Sequence, residues 1–436
     1  MKSPLKIKDN SCSNPQEENI LSALHSIAGV PVKELLSKNP GLLIFPASLG
    51  EYKDGIEDTV ICSLSGDRVL TNNIVGFIGV NDCRLCIHSR FDAGEKQFFL
   101  HYLLQRVFGI NLFDFSTGID PERIWDFLIY LFPFCLKKAL TKGLFRTYRD
   151  FKYNNDHVRG SIDIARHIKQ NIPFTGKIAY QTREYTADNH LLQLVRYTVD
   201  VIRKRRYSAN ILSADHDIRD AVLQIELATP DYKQVALSKV IAQNLRPVRH
   251  PYYTEYTVLQ KLCLQILRHE KISFGSDDNE IYGILFDAAF LWEEYLSTLL
   301  SPLGFIHPKN KAKTNAINLY SDRYLPAYPD FIGNGMILDA KYKRLDGNIG
   351  REDRFQLISY LHVTKYSKGI LLHPAEDKEA TFIHDGCLAG FGGSLGVLNM
   401  SIPQNAESFS HFIEQIKIEE DRMLSVLKEH FPGGTE

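Results

Sequence analysis

The sequence predicts a multidomain α/β protein with a β-rich N-terminal domain, a mainly helical middle region and a C-terminal α/β domain built on a mixed sheet. Three observations predict it. A chain of 436 residues exceeds what one hydrophobic core covers, since cores rarely grow past roughly 250–300 residues. Short β-branched runs fill residues 1–92, and helical periods take over across 93–272. From 273 to 436 the order helix, strand, strand, helix, strand is that of a mixed-sheet domain.

Composition narrows the class. Hydrophobic content of 44% and charged content of 24% are those of a soluble globular chain. A net charge of −1 argues against a polycation that coats nucleic acid, although a local basic groove on a neutral protein still serves DNA. Seven scattered cysteines and a polar N-terminus without an apolar signal core fit a reducing, cytoplasmic setting. The most apolar run, Phe127 to Leu136, is too short to span a membrane and contains Pro133. It reads as a buried helix, and no membrane association is expected.

Along the chain, the first 20 residues are polar and expected to be unstructured, and residues 20–36 read as a helix. "DTVICSL", "NNIVGFIGV" and "CRLCIHSRF" follow as strands separated by Gly, Asn and Asp turn signals. "KQFFLHYLLQRVFG" reads as a helix ending at Gly109, and a second helix opens at Pro121 and closes at Gly143. "TADNHLLQLVRYTVDVIRKRRY" and "YTVLQKLCLQILRHEK" are long amphipathic helices, and "VRGSIDIARHIKQN" runs from a strand into a helix. Past "GSDDNE" come the helix "LFDAAFLWEEYLSTLL", the strands "YLPAYPDFIG" and "GMILDAKYK", the helix "RFQLISYLHVTKY" and the strand "KGILLHP".

The chemistry concentrates in "YPDFIGNGMILDAKYK". With Asn334-Gly335 as a two-residue hairpin loop, pairing runs outward through Gly333/Met336, Ile332/Ile337 and Phe331/Leu338. Asp330 and Asp339 then fall opposite each other, their Cβ atoms about 4.5–5.5 Å apart. Lys341 shares the face of Asp339 by the period of two. Opposed carboxylates are costly unless neutralised, and they form a hard oxygen site suited to Mg²⁺, with Mn²⁺ as a substitute. A lysine beside them suits charge stabilisation on a phosphate or activation of water. The plainer alternative is a solvated hairpin face. Neighbouring helices add weight: Glu293 or Glu294 could supply a further carboxylate, and Gln356 and Tyr360, spaced i, i+4, share a face.

P-D, then D-A-K at a hairpin's length, then Q-L-x-x-Y resembles the PD-(D/E)xK nuclease superfamily. More narrowly, "ILDAKYK" followed by "FQLISYL" resembles the McrC nuclease subunits of McrBC-type restriction systems, and "HVRGSIDIARHI" and "EYTADNHLLQLVRYTV" agree with that match. The resemblance runs over about residues 20–430. It implies a PD-(D/E)xK restriction-endonuclease-like C-terminal domain, with Asp330 and Asp339 as metal ligands, Lys341 as the catalytic lysine, Gln356 in a positioning role and Glu293 as an additional metal-site acid. It further implies cleavage of double-stranded DNA and a separate McrB-like AAA+ GTPase hexamer on which the N-terminal domain docks. GTP would then be used only through that partner.

Absences agree. "TGKI" at 175–178 lacks the glycine and Ser/Thr of a phosphate-binding loop, and no G-x-S-x-G element occurs. Cys83, Cys86 and His88 suggest half a zinc site, but a strand puts the two cysteines on opposite faces and no second pair follows. Arg203 to Arg206 reads as a solvated helix end, whereas "HPKNKAKTN" (307–315) lies close enough in sequence to contact phosphate. Two rival functions stay open: a non-catalytic adaptor that stimulates the motor, and a stand-alone repair nuclease of the same superfamily.

Overall fold

The computed structural model describes residues 5–431 except 15–20, 22–23, 40–41, 47–57, 67, 81–82, 95, 109–125, 205–208, 214, 231, 249, 273–280, 309–314, 346–347, 377–378 and 391. It is a mixed α/β protein with several sheets, divided into two compact units. Met1–Ile124 and Asp277–Glu436 together form one, and Trp125–Ser276 forms the other. The first and third of the segments expected from the sequence therefore share a unit.

The reason is one strand. β1 (Leu5–Lys8), β2 (Leu42–Phe45), β3 (Ile74–Val80), β4 (Cys83–His88) and β5 (Ile281–Asp287) make a sheet of order β1-β4-β3-β5-β2. β5, from far down the chain, pairs antiparallel with β3 and parallel with β2. Every residue of β3 is buried, as a strand covered on both faces requires. Two glycines permit the β3–β5 approach: a Cβ on Gly76 would lie 2.3 Å from the Ile284 carbonyl oxygen, and one on Gly283 equally close to that of Phe77.

Three expectations need correction here. The first 20 residues are not all unstructured, because Leu5 and Ile7 alternate into the apolar core and β1 pairs with β4. Within 20–36, turns at 26–29 and Pro31 interrupt the helix, and a short helix, Val32–Lys38, follows. Leu285 to Asp287 belong to β5, not to a helix; Asp287 instead caps α2 (Ala288–Leu300) by accepting from Ala289 N at 2.8 Å. Cys86 is buried in β4, donating to Gln97 Oε1 at 3.4 Å, and so serves packing.

The second sheet of this unit is built from β6 (Phe331–Gly333), β7 (Met336–Ala340), β8 (Lys368–Glu376), β9 (Phe382–Cys387) and β10 (Ser394–Ile402), in the order β6-β7-β8-β10-β9. α3 (Arg351–Thr364) connects the parallel strands β7 and β8, as a parallel pair requires. Its Leu357, Tyr360 and Leu361 pack with Ile337, Leu371 and Val397. α1 (Phe98–Phe108), α2 and α4 (Phe409–Glu429) meet through aromatic side chains: Tyr102 lies 5.9 Å from Tyr295 and 6.1 Å from Phe412. Buried Glu420 accepts from both tyrosine hydroxyls, at 2.6 and 2.7 Å.

The middle unit holds three helices expected from the sequence, Asp126–Leu140, His190–Lys204 and Glu255–Ile272. The expected start at Pro121 lies outside the described residues, and the expected helix ending near 109 is α1 of the other unit. The middle unit also contains an antiparallel pair, Thr147–Asn155 with Ile178–Thr186. That pair was hard to see because its alternating faces are polar or charged on both sides. Among the described residues, no helix is long and apolar enough to cross a membrane.

Candidate active site

The hairpin forms as the Asn-Gly pair dictates. Asn334 and Gly335 both have positive φ, 49° and 69°, the signature of a type I′ turn whose twist matches the flanking strands. Gly333 pairs with Met336, Ile332 with Ile337 and Phe331 with Leu338. Asp330 stands one residue beyond the ladder, and its Oδ2 accepts from Ala340 N at 2.8 Å. This fixes it next to Asp339, which is only 2% exposed. Lys341 Nζ lies 2.7 Å from Asp339 Oδ2 and 3.6 Å from Asp353 Oδ1.

These side chains face one cleft of about 670 Å³. Asp330, Asp339, Lys341, Gln356 and Glu293, the candidates read from the sequence, all line it. Gln356 Nε2 donates to the Tyr360 hydroxyl at 3.0 Å, so the i, i+4 pair acts as one unit. Glu293 and Glu294 lie 3.6 and 3.5 Å from His307 Nε2, and the other ring nitrogen is 2.7 Å from the Asp330 carbonyl oxygen. His307 thus ties the helix acids to the backbone of the hairpin.

Electrostatics follow from the crowding. Burial, with Asp330 adding repulsion, pushes the Asp339 carboxyl up to about 7 against the pull of Lys341. Burial works against the Lys341 charge, yet Asp339, followed by Asp330 and Asp353, lifts its pKa well above the ordinary ammonium value. The tyrosine at 360 is also raised, first by burial, with Gln356 opposing.

Apart from the ammonium 2.7 Å away, the buried Asp339 Oδ2 has no hydrogen-bond donor among the described residues. Among the described residues, no group of three or more Asp, Glu, His or Cys side chains is close enough to form a complete cage. Two carboxylates without a cage suit Mg²⁺, which keeps waters and shares substrate phosphate. They do not suit structural zinc.

Other residues in the cleft carried no usable signal in the sequence. Asn10, Asn73 and Arg90 come from the ends of strands in the other sheet, and Tyr328 and Lys343 flank the hairpin. Asp353, in the first turn of α3, receives Lys343 Nζ at 2.6 Å. Of the basic stretch 307–315, residues 309–314 lie outside the described residues. Arg203 pairs with Glu226, which supports the solvated-helix reading; 205–206 lie outside the description.

Fold and cleft together define a class: a two-sheet α/β unit in which a hairpin presents opposed carboxylates and a lysine. The sequence model of the McrBC 5-methylcytosine restriction system component family matches residues 69–374. The chain belongs to this family. Among solved structures, it is similar to a half-complex of the Thermococcus gammatolerans tetradecameric assembly of McrB AAA+ hexamers with bound McrC. That match has 14% identity and a TM-score of 0.49, covering 98% of this chain and 100% of the other. A cryo-EM structure of the Thermococcus gammatolerans McrBC complex matches at 15% identity and a TM-score of 0.34, covering 69% and 87%. Comparison with curated proteins gave no match.

Proposed function

We propose that this chain is the DNA endonuclease subunit of a GTP-driven, McrBC-type restriction complex. Its C-terminal domain would be of the PD-(D/E)xK type, cutting double-stranded DNA by metal-dependent phosphodiester hydrolysis. The observation that carries the reading is the convergence of Asp330, Asp339 and Lys341 in a cleft that also holds Gln356 and Glu293. A solvated hairpin face would not bury Asp339 to 2% exposure.

Asp330 and Asp339 would hold the ion directly, and Glu293, on the cleft wall but not close enough to complete a three-acid cage, would be an additional acid acting through a water. Bound there, Mg²⁺ or Mn²⁺ supplies Lewis-acid polarisation of the scissile phosphate and a more acidic water. The chain's own groups do the rest. Ala340 N fixes Asp330, and Lys341 stands as a cation beside the carboxylates, where it stabilises charge developing on the phosphate. Gln356, steadied by Tyr360, orients the substrate strand. Family membership supports an AAA+ GTPase partner, and GTP would act through that partner, with the N-terminal domain coupling the two.

The test is cleavage of plasmid DNA by wild type and Asp339→Ala, with and without Mg²⁺, the cognate GTPase and GTP. The expected result is cutting that requires all three and falls by on the order of 10²–10³ in the variant. Chelation by EDTA should stop it and added Mg²⁺ restore it. Cutting without the partner would favour a stand-alone nuclease. A wild type that accelerates GTP hydrolysis but never cuts DNA would be an adaptor.

A further inference from the structure

We infer that Arg90 is a phosphate clamp of this cleft, holding the DNA backbone beside the bond to be cut; the inference rests on the nuclease reading above. Arg90 follows β4 in the N-terminal sheet, yet its side chain lines the cleft with Asp330, Asp339 and Lys341. It is a built feature. Asp9, whose side chain is fully buried, accepts from Arg90 Nε at 3.0 Å, Nη2 at 2.6 Å and the backbone N at 2.5 Å. Asn73 Oδ1 also accepts from Nη2. The guanidinium lies over the Tyr342 ring, 5.0 Å from its centroid, and Ser89 Oγ holds the Tyr342 hydroxyl at 2.6 Å.

One edge of the guanidinium is therefore fixed from behind, while among the described residues nothing accepts from Nη1. Charge explains what the free edge is for. The phosphate beside the scissile one, entering a cleft with Asp330, Asp339 and Glu293 on its walls, is repelled unless a cation other than an ion on the aspartates meets it. Lys341 is already paired with Asp339 inside the cleft, and Lys343 is held by Asp353 at 2.6 Å. The Arg90 counter-ion instead sits behind it, outside the cleft lining. A planar fork held at one edge is pre-organised to donate to a phosphate oxygen. Asn10 and Asn73 stand beside it in the same lining, and amides of this kind commonly make backbone contacts. A buried ion pair is in itself weak grounds for stability, which leaves the cleft as the better reason for this one.

The experiment uses the full-length chain assembled with its GTPase partner on linear duplex DNA. Arg90→Lys keeps the charge and loses the fork; Asp9→Asn/Arg90→Gln removes both charges without stranding a buried carboxylate. Both should raise KM for DNA about tenfold, the scale of a charge-assisted hydrogen bond, with kcat within about twofold. In an Asp339→Asn background, the double variant should also lower the salt slope of DNA binding by about 0.9, one phosphate contact. Unchanged KM and slope in folded variants would make the pair a structural brace and overturn the clamp. So would a collapse of kcat at constant KM. If melting shows the double variant unfolded, Arg90→Lys alone decides through KM. A wild type that never cuts DNA overturns the nuclease reading and the clamp with it.

Discussion

Asp92 shows how a single buried carboxylate ties stability to pH without taking part in the cleft. Its oxygens accept from Phe99 N at 2.7 Å and Ser89 N at 3.2 Å, fastening the start of α1 to the end of β4. Burial nevertheless pushes its pKa up to about 7, against these backbone donors and Lys8. An unfolded aspartate titrates near ~3.9. Between these values the folded state binds a proton that the unfolded state does not. The group therefore contributes stability that is full below about pH 4 and is lost as pH rises through 7. Wild type should exceed Asp92→Asn by most near pH 4, and the gap should shrink between there and about pH 7 by at most about 1.4 kcal/mol per unit. Urea midpoints at the two pH values check this; a gap that widens with pH would refute the assignment. At this scale the sequence was partly legible. Asp330, Asp339 and Lys341 are found by hairpin arithmetic, which needs only neighbours in the chain. Arg90 is not, because its partner Asp9 lies 81 residues away and meets it only through folding of distant segments.

At the scale of elements, the hairpin is a device for holding register. Asn334 and Gly335 adopt left-handed φ values that a type I′ turn demands. One residue inserted after Gly335 should slip β6 against β7 and turn the Asp330 side to the opposite face. The expected outcome is loss of DNA cleavage by more than about 100-fold, since a misplacement of about 1 Å can cost that much. Secondary structure by circular dichroism should stay close to wild type. Full activity in the insertion variant would show that register does not matter. Gly76 and Gly283 carry the β3–β5 contact in the same strict way. Gly283→Ala brings a Cβ to 2.3 Å from a backbone oxygen and should lower the melting temperature by several degrees. The turn was legible because Asn-Gly is a local signal. The sheet that β5 joins was not, because "IYGILFD" is an apolar run that would suit any buried strand.

At the scale of the whole molecule, β5 decides where a functional piece can be cut out. From the sequence, residues 273–436 are expected to form the nuclease domain. Among the described residues, β5 pairs with β2 and β3, and both lie before residue 81. Removing the N-terminal segment would expose Ile284, Leu285 and Phe286, now at most 4% exposed. At about 1.5–3 kcal/mol per large apolar side chain, the loss is of the order of a domain's whole net stability, about 5–15 kcal/mol. It would also remove the wall of the cleft made by Asn10, Asn73 and Arg90. Fragment 273–436 expressed alone should therefore be insoluble or lack a cooperative melt. Co-expression with residues 1–124 should recover a soluble pair that co-purifies and melts cooperatively. A soluble, cooperatively folded 273–436 fragment would show that β5 is dispensable.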